Sequence, residues 1–532
     1  MVKVLIADKL SDRAAEIFRE RGIEADEKPG LSPEEQREII GEYDGLAVRS
    51  ATKVTPALLE HADRLRVIGR AGIGVDNIDI PAATKRGICV MNTPYGNSIT
   101  TAEHAVAMMM SLARQIPQAD ASTQAGKWEK SRFMGVELFG KTLGVIGCGN
   151  IGSIVADRAQ GLKMRVVAFD PYLTEDRAVN LGVEKVTLDE LLARADFISL
   201  HTPMTDQTKG IIDAAAIAKC KEGVRIINCA RGGLVVEEDL KAALDSGRVA
   251  GAAMDVFVKE PAKENILFGH PNLVATPHLG ASTSEAQENV ALQVAEQMAD
   301  YLVLGAVTNA INMPSVTAEE APRLRPYMKL AEQLGSLAAQ MANGGLSSIQ
   351  VEYEGHAAEL NTRPLTAIVL QGVLQPKMDS VNMVNAPVVA KERDIDVAEV
   401  KNERQSFYQS LMRVVLKTDT ETYTVTGTLF GRKPRIVEID SIQIEAELEG
   451  HMLYVENDDK PGFIGNLGTA LGKAGVNIAT FALGRSTKGA GALSLIAVDE
   501  AVPEALLKDL HRLDGVRRVT ALNFGTDSPA AG

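Results

Sequence analysis

The sequence predicts an α/β protein with a doubly wound parallel sheet at its centre, a smaller α/β unit before it and two α+β regions after it. Three observations support this prediction. Short apolar runs alternate with helical segments through residues 1–313, polar motifs directly follow the central runs, and the last region has the order β-α-β-β-α-β.

Length and composition narrow the class of protein. A chain of 532 residues is too long for one core, and at about 150 residues per domain it predicts three or four domains. A net charge of −14 argues against nucleic acid or an anionic membrane as the main partner. The N-terminus is typical of a strand rather than a signal peptide, and no apolar run has the length of a membrane span.

The cysteine pattern indicates the compartment. The four cysteines form no C-x-x-C pair and have no adjacent His, so neither a disulfide framework nor a zinc site is predicted. We therefore expect reduced thiols, no metal and a cytoplasmic location.

Residues 1–97 predict a small α/β unit of parallel character. A second glycine turn, residues 70–76, lacks the third glycine and the later acidic strand end, so we do not interpret it as a dinucleotide site. The predicted strands are Val2–Ala7, Leu46–Val48, Val67–Gly69 and Cys89–Asn92.

A long amphipathic helix is predicted from Ser98 to Arg114. Ser98 or Thr100 opens it, and Glu103, three residues after Thr100, gives the pattern of a capping box. The segment from Ala105 to Met110 is apolar on more than one face. Burial between subunits and burial inside one domain both explain that pattern.

The central motif is a glycine turn between two predicted strands. Gly147-Cys148-Gly149-Asn150-Ile151-Gly152 follows the first strand and opens a helix, and Asp170 ends the next strand. This is the dinucleotide-binding arrangement, in which a pyrophosphate lies on the helix N-terminus. A carboxylate at position 170, with no Arg directly after it, fits a free ribose diol. The predicted cofactor is therefore NAD rather than NADP.

Six predicted strands alternate with helices from Lys141 onward, as in a doubly wound sheet. Because ligands bind outside the carboxyl ends of such strands, the polar segments that follow them should line one crevice. The strands are Leu143–Gly147, Arg165–Asp170, Phe197–Leu200, Arg225–Cys229, Gly251–Asp255 and Leu273–Thr276. The segments that follow include Asp170, His201-Thr202-Pro203, Ala230-Arg231-Gly232-Gly233, Asp255 and Pro277-His278-Leu279-Gly280.

Three residues of these loops have the chemistry for hydride transfer. His278 can exchange a proton with a substrate oxygen near neutral pH, and Glu260 can orient that imidazole and raise its pKa. Arg231 can bind a substrate carboxylate as a fork. Taken one at a time, however, His, Glu and Arg side chains in loops are more often solvated surface residues than catalytic ones. His104 is predicted to be a buried, hydrogen-bonded residue, and His201 a structural or cofactor-lining one.

The C-terminal part divides into a linker and two regions. Residues 314–326, with three prolines, predict a linker, and 314–450 an intervening α+β region. Its basic turn, residues 431–435, indicates a solvated hairpin in preference to an anion site. Residues 451–525 predict the split βαβ, ferredoxin-like unit, and 526–532 a disordered tail.

Four segments together resemble the D-2-hydroxyacid dehydrogenase family. They are Gly147–Gly152 with Asp170, Asn228–Leu234, Met254–Pro261 and Thr276–Thr283. The resemblance implies that Arg231, Glu260 and His278 are the catalytic set. It also implies a Rossmann-type domain (98–283) inserted in a flavodoxin-like substrate domain (1–97 and 284–313). The expected cofactor contacts are Gly147, Gly149, Asn150, Ile151, Gly152, Asp170, Thr202, Pro203, Cys229, Ala230, Asp255 and Gly280.

Within that family the chain is similar to the long-form members that add an intervening domain and an ACT domain. These oxidise 3-phosphoglycerate to 3-phosphohydroxypyruvate, the first step of serine synthesis, and a homo-oligomer, dimer or tetramer, is expected. The implied substrate site consists of Arg49, Arg70, Gly72, Ile73, Gly74, Val75 and Asn97, with Arg132 reaching a neighbouring subunit. The implied serine site of the ACT domain consists of Asn457, Asp459 and Asn477, the first of which is often His or Tyr elsewhere.

Two other functions fit parts of the pattern. A glyoxylate or hydroxypyruvate reductase would share the dehydrogenase domains, but such enzymes are usually shorter and lack the two C-terminal domains. A scaffold protein that senses NAD would share the fold but would not need Arg231, Glu260 and His278 together.

Overall fold

The computed structural model describes residues 1–317, 319–378, 381–402, 408–487 and 491–525. The predicted disordered tail, 526–532, lies outside the described residues. The chain divides into two compact units. The first unit comprises residues 1–70, 74–92 and the chain from 294 onward, and the second unit comprises 71–73 and 93–293.

The N-terminal sheet of the first unit has five parallel strands in the order β2-β1-β3-β4-β5, the flavodoxin-like order. All four predicted strands are confirmed. The strands are β1 Lys3–Ile6, β2 Glu24–Glu27, β3 Gly45–Val48, β4 Val67–Arg70 and β5 Cys89–Asn92, and the helices are α1 Asp12–Glu20, α2 Pro33–Ile39, α3 Pro56–Leu59 and α4 Ile80–Lys85. The edge strand β2 was not predicted because three of its four residues are acidic.

The second unit contains a seven-stranded parallel sheet in the order β12-β11-β10-β9-β6-β7-β8. The strands are β6 Thr142–Ile146, β7 Arg165–Phe169, β8 Glu184–Lys185, β9 Phe197–Leu200, β10 Val224–Asn228, β11 Val249–Met254 and β12 Leu273–Ala275. The six predicted strands, and with them the doubly wound Rossmann-type sheet, are confirmed. The strand order reverses between β6 and β9, which is where such sheets bind ligands.

Helices cover both faces of this sheet. They are α5 Ser98–Arg114, α6 Ile116–Gln124, α7 Asn150–Gly161, α8 Glu175–Leu181, α9 Leu188–Arg194, α10 Ala214–Lys219 and α11 Glu237–Asp245. The next helix, α12 Ser284–Leu304, has Val294 and Met298 against Gly69 of the N-terminal sheet. One apolar cluster includes the side of α5 that carries Ala105, Met109 and Leu112, so that side is a core surface. The neighbouring Met110 is 38% exposed, and the outer side of α5 stays available to a second subunit.

The predicted capping box of α5 is wrong. The N-cap is Asn97, one residue earlier than expected, and no side chain caps the helix. Ser98 already lies in the first helical turn, where its hydroxyl donates to the carbonyl of Pro94 at 2.9 Å. The buried start of the helix therefore overrides the local pattern of hydroxyl and carboxylate residues.

The intervening region forms a six-stranded sheet in the order β14-β13-β15-β16-β17-β18. Its elements are β13 Leu346–Gly355, β14 Asp396–Asn402, β15 Ser410–Thr418, β16 Thr422–Phe430, β17 Lys433–Ile439 and β18 Ile442–Ala446, with α13 Ala321–Met341, α14 Thr362–Leu374 and α15 Ala386–Glu392. The prediction of a linker through residue 326 is wrong, because α13 begins at Ala321. Pro322 lies in its first turn, where a proline loses no helical hydrogen bond.

The basic turn, residues 431–435, compensates for a proline inside α13, Pro326. A proline inside a helix cannot donate to the carbonyl four residues earlier, which here belongs to Pro322. Arg432 donates to that carbonyl through Nη2 at 2.9 Å. Arg432 lies on the hairpin between β16 and β17, so the hairpin interpretation is confirmed and this arginine stabilises α13.

The last region has a four-stranded antiparallel sheet in the order β20-β21-β19-β22 and is ferredoxin-like, as predicted. Its elements are β19 His451–Asp458, α16 Phe463–Lys473, β20 Ile478–Arg485, β21 Gly491–Val498, α17 Glu504–His511 and β22 Val516–Asn523. Across the described residues of the whole chain, no helix is both long and apolar enough to cross a membrane.

Candidate active site

The glycine turn has the geometry that lets a ligand come close to the backbone. Gly147 has φ of 90°, in the left-handed region that favours glycine. A Cβ added to Gly152 would lie 1.9 Å from the carbonyl oxygen of Gly147, so a side chain there would break the turn. α7 begins at Asn150, so its first N–H groups are available to a pyrophosphate.

Asp170 lies beside this turn. Its Oδ2 accepts a hydrogen bond from the N–H of Cys148 at 2.8 Å, and its Oδ1 accepts from the N–H of Tyr172 at 2.8 Å. The carboxylate is thereby held at the tip of β7, at the height of the glycine turn. Carboxylate oxygens accept hydrogen bonds from a ribose diol and repel a 2′-phosphate, so the residues present fit NAD.

The ends of neighbouring strands are joined by backbone hydrogen bonds. His201 N–H donates to Ile146 at 2.8 Å, Asp255 N–H to Asn228 at 2.9 Å, and Thr276 N–H to Met254 at 3.0 Å. The cofactor residues predicted after these strands therefore lie along the same edge as the glycine turn. They are Thr202, Pro203, Cys229, Ala230, Asp255 and Gly280, of which Cys229, Asp255 and Gly280 are buried.

His278 and Glu260 form the pair expected for proton transfer. His278 Nδ1 lies 2.6 Å from Glu260 Oε2, and the two side chains are 52% and 34% exposed. The hydrogen bond with Glu260 raises the pKa of His278 above its ordinary value. Burial acts to raise the pKa of Glu260, but hydrogen bonds from His278 and the Phe257 N–H outweigh it and the pKa is lowered. Since Nδ1 is engaged by a carboxylate, neutral His278 presents Nε2 as its proton acceptor.

The loop that carries Glu260 is held by Glu237. Glu237 Oε1 accepts from the Val258 N–H at 2.9 Å, and its Oε2 accepts from Asn265 Nδ2 at 2.7 Å. Sequence reasoning did not assign Glu237 a role, because an acidic residue in the first turn of a helix is already explained by the helix dipole.

Asp255 fixes the backbone that carries His278. This carboxylate is 0% exposed and accepts from the N–H groups of Leu279 at 2.7 Å and Gly280 at 3.0 Å, and from the hydroxyl of Thr276 at 2.6 Å. His278 has φ of 55°, an unfavourable conformation for a residue with a Cβ. The hydrogen bonds of Asp255 on both sides of His278 stabilise that conformation. Direct contact between Asp255 and the cofactor stays a prediction.

His104 completes this network and is hydrogen-bonded as predicted, but it is partly rather than fully buried. Its Nε2 lies 3.2 Å from Asp255 Oδ1 and 3.3 Å from Thr276 Oγ1. Ligand atoms of His104, Cys229 and Asp255 lie within 4.8 Å of one another, a spacing that metal sites also show. Burial raises the pKa of the Cys229 thiol, and Asp255 is already saturated with donors, so hydrogen bonding explains the cluster.

Arg231 lies on a turn that Asn228 stabilises. Asn228 Nδ2 donates to the carbonyl of Arg231 at 2.9 Å, and its Oδ1 accepts from the Ala230 N–H at 3.1 Å. A Cβ on Gly232 would lie 1.9 Å from the Phe257 carbonyl oxygen, so this turn approaches the Glu260 loop closely. Asn228 is fully buried and was not assigned a role from the sequence.

His201 is a neutral residue of the same edge. Its Nε2 lies 2.8 Å from Ser199 Oγ. Burial lowers the pKa of His201 to about 4, so its imidazole is uncharged at neutral pH. This agrees with the structural or cofactor-lining role expected for it.

The substrate residues of the first unit follow adjacent strands. Arg49 comes directly after β3 and Arg70 ends β4, so both lie at the carboxyl edge of the sheet. Gly74 and Val75 follow in the loop after β4.

The other substrate residues belong to the second unit. Gly72 donates its N–H to Thr93 Oγ1 at 2.6 Å, and Ile73 follows it. Asn97 is 8% exposed, and its Oδ1 has no partner among the described residues. Arg132 Nη1 lies 3.0 Å from Glu129 Oε2 on the surface. That all these residues assemble into one substrate site stays a prediction.

The predicted effector residues lie in the last region, two of them around the end of β19 and one directly before β20. Asn457, on β19, is 2% exposed, and its Oδ1 has no partner in the described part of the chain. Asp459 Oδ2 lies 3.5 Å from Arg485 Nη1. Asn477 Nδ2 donates to Asp499 at 2.7 Å.

Glu260→Gln is expected to lower the pKa of His278 towards its ordinary value of 6.5, because the carboxylate that stabilises the imidazolium is removed. The raised pKa stabilises the fold at pH below 6.5, and this contribution is lost as pH rises through the folded-state pKa. An NMR titration of the His278 ring measures the shift. Glu264→Gln, on the same loop, is the control, and an equal shift in both variants would contradict the pairing.

Three family models match the chain. "D-isomer specific 2-hydroxyacid dehydrogenase, NAD binding domain" matches residues 106–280. "D-3-phosphoglycerate dehydrogenase intervening domain" matches residues 323–440, and "ACT domain" matches residues 451–515.

Relatives and solved structures agree with these matches. The D-3-phosphoglycerate dehydrogenase of Bacillus subtilis (strain 168) is 44% identical over 529 residues, which cover 98% of this chain and 100% of the relative. An NAD+-bound 3-phosphoglycerate dehydrogenase of Entamoeba histolytica is 30% identical with a TM-score of 0.50, covering 58% of this chain and 98% of that one. A glyoxylate reductase of Paecilomyes thermophila is 30% identical with a TM-score of 0.55, covering 58% and 98%. The chain therefore belongs to the D-3-phosphoglycerate dehydrogenases of the D-isomer specific 2-hydroxyacid dehydrogenase family, in the long form with an intervening domain and an ACT domain.

Proposed function

We propose that Arg231, Glu260 and His278 perform the reaction of this family, the NAD-dependent oxidation of 3-phospho-D-glycerate to 3-phosphohydroxypyruvate that begins L-serine synthesis. The observation that supports this most strongly is the 2.6 Å pair between His278 and Glu260. It lies on the same sheet edge as the glycine turn and Asp170. A proton-transfer pair beside a dinucleotide cradle is what hydroxyl oxidation requires.

Each residue of the set has a separate task. Bound NAD supplies the acceptor for the hydride that leaves the substrate carbon. His278 Nε2 takes the hydroxyl proton as the C–O bond becomes a carbonyl. Glu260 stabilises the imidazolium that results, and the same pair returns the proton in the reverse direction. Arg231 binds the substrate carboxylate as a fork and holds the hydroxyl in reach of His278.

The phosphate of the substrate is assigned to Arg49 and Arg70 of the first unit. The backbone of residues 72–75 and the Asn97 side chain are also assigned to substrate binding. Support for the phosphate assignment comes from the position of both arginines at adjacent strand ends. Guanidinium groups are the preferred protein partners of phosphate. Arg132 is assigned to the phosphate site of a neighbouring subunit.

Steady-state kinetics with NAD test the function. We expect kcat/KM to be at least about 100-fold higher for 3-phosphoglycerate than for D-glycerate, because each charged hydrogen bond to phosphate contributes about 1.5–3 kcal/mol. A preference for the unphosphorylated acid would instead favour the glyoxylate or hydroxypyruvate reductase. Failure to form NADH with any hydroxy acid would instead favour the NAD-sensing scaffold.

L-Serine is proposed as an effector of the ACT domain, bound by Asn457, Asp459 and Asn477. The buried, unpartnered amide oxygen of Asn457 supports a polar ligand there. The same assay with added serine tests this, and inhibition that Asn457→Ala leaves unchanged would contradict the assignment.

A homo-oligomer, dimer or tetramer, is proposed in the cytoplasm. The second unit exposes an apolar surface that includes Trp128, Met134 and Phe139, which are 85%, 77% and 73% exposed. These side chains and Met110 line a groove of about 1100 Å³. A continuous apolar surface of this kind is typical of a subunit interface. Sedimentation velocity measures the assembly, and a monomer at micromolar concentration would contradict it.

A further inference from the structure

A buried carboxylate supports the loop that carries Arg49. Asp8 lies two residues beyond the end of β1 and is 5% exposed. It accepts from the Arg49 N–H at 2.6 Å, from the Thr52 N–H at 3.2 Å and from the Thr52 hydroxyl at 2.8 Å. All described hydrogen bonds of this carboxylate therefore come from the loop of residues 49–52. Three donors from one short loop offset the cost of burying the charge.

A buried amide holds the other side of the same loop. Asn77 is 8% exposed, and its Nδ2 donates to the carbonyls of Arg49 and Thr52, both at 2.7 Å. The Asn77 carbonyl in turn accepts from the Val54 N–H at 2.8 Å. Asn77 follows Val75 by two residues. It therefore connects the Arg49 loop with the loop after β4 that carries Gly74 and Val75.

Asp8 and Asn77 together fix the backbone of Arg49, which lies just beyond the end of β3. β3 ends at Val48, so the sheet no longer holds the peptide groups of Arg49. Asp8 accepts from its N–H and Asn77 donates to its carbonyl, so both of its backbone polar groups are bound by buried side chains. A fixed backbone lowers the entropy that a long side chain loses when it binds a ligand.

We propose that Asp8 and Asn77 are positioning residues that set the preference of the enzyme for phosphorylated over unphosphorylated 2-hydroxy acids. They act through Arg49 and do not contact the substrate. The inference rests on the proposed function, in which Arg49 binds the phosphate. Loosening the loop should then weaken recognition of the phosphate and leave the hydride-transfer step intact.

The test compares two substrates in three variants. Asp8→Asn, Thr52→Val and Asn77→Ala are assayed with 3-phosphoglycerate and D-glycerate at saturating NAD. For Asp8→Asn and Asn77→Ala we expect KM for 3-phosphoglycerate to rise about tenfold, and for Thr52→Val about threefold, in line with the loss of one or two hydrogen bonds. The kcat and the kcat/KM for D-glycerate should stay within about twofold, since neither depends on the phosphate.

Asp79→Ala is the matched control. Asp79 lies two residues after Asn77, and its Oδ1 accepts from the Ala82 N–H at 2.9 Å as the N-cap of α4. Its replacement destabilises the same domain without touching the 49–52 loop, so KM for both substrates should be unchanged. Thr52→Val keeps the shape of the side chain and keeps the test decisive if Asp8→Asn does not fold.

The two failures can be told apart. A wild-type protein that does not oxidise 3-phosphoglycerate would overturn the proposed function and this inference with it. A wild type that oxidises it, with variants whose KM does not move or whose activity falls equally on both substrates, would overturn the inference alone.

Discussion

His278→Ala is expected to lower kcat for 3-phosphoglycerate oxidation about 10³-fold, in the range that general acid–base catalysis contributes. The neighbouring titratable side chains are poorly suited to replace it. His104 Nε2 already lies within hydrogen-bond distance of Asp255 Oδ1 and Thr276 Oγ1. Asp255 is fully buried and its oxygens already accept hydrogen bonds, and His201 has its pKa lowered to about 4. Steady-state kinetics at saturating NAD measure the loss.

The fold of this variant should be close to that of the wild type, because the His278 side chain is 52% exposed. Thermal unfolding and NAD binding check this point. His61→Ala, at an exposed histidine of the first unit, is the control and should retain full activity. Wild-type kcat in the His278 variant would refute its assignment as the general base.

Arg231→Ala is expected to lower kcat/KM about 10²- to 10⁴-fold, because two charged hydrogen bonds to the substrate carboxylate are lost at about 1.5–3 kcal/mol each. The loss should appear in both KM and kcat, since the fork binds the carboxylate and also orients the hydroxyl towards His278.

Arg231→Lys separates charge from geometry. It keeps the positive charge and loses the fork, so we expect it to recover only part of the activity. The Asn228 contacts go to the backbone of Arg231 and of Ala230, so the turn should persist in both variants. Equal activity of Arg231→Lys and the wild type would show that charge alone suffices.

The sheets could be predicted from the sequence because the signals for them are local. Apolar runs such as Phe197–Leu200 are buried on both faces of a parallel sheet, and their length and spacing predict strands directly. The glycine turn is equally local, since close packing at Gly152 excludes any side chain. The edge strand Glu24–Glu27 shows the limit of this reasoning, because an exposed edge needs no apolar run.

Local patterns failed at the start of α5 and at the start of the intervening region. The hydroxyl of Ser98 donates to the backbone carbonyl of Pro94 and does not cap α5. Pro326 continued a helix instead of ending a linker, because Arg432, far along the chain, donates to the carbonyl that this proline leaves without a donor. Arg432 lies 110 residues from Pro322, so a pattern of neighbouring residues cannot contain it, whereas the carbonyl of Pro94 competes for the Ser98 hydroxyl from only four residues away.

The sequence by itself determined the residues proposed for the chemistry, which are Arg231, Glu260 and His278 on loops after the strands, and the glycine turn with Asp170. Only the tertiary structure decided what holds them. Glu237 stabilises the Glu260 loop, Asp255 the left-handed backbone of His278, and Asp8 the Arg49 loop, across 21, 24 and 41 residues of sequence respectively. The physical reason is that a hydrogen bond depends on distance in space, and only the folded chain brings these carboxylates to the loops they support.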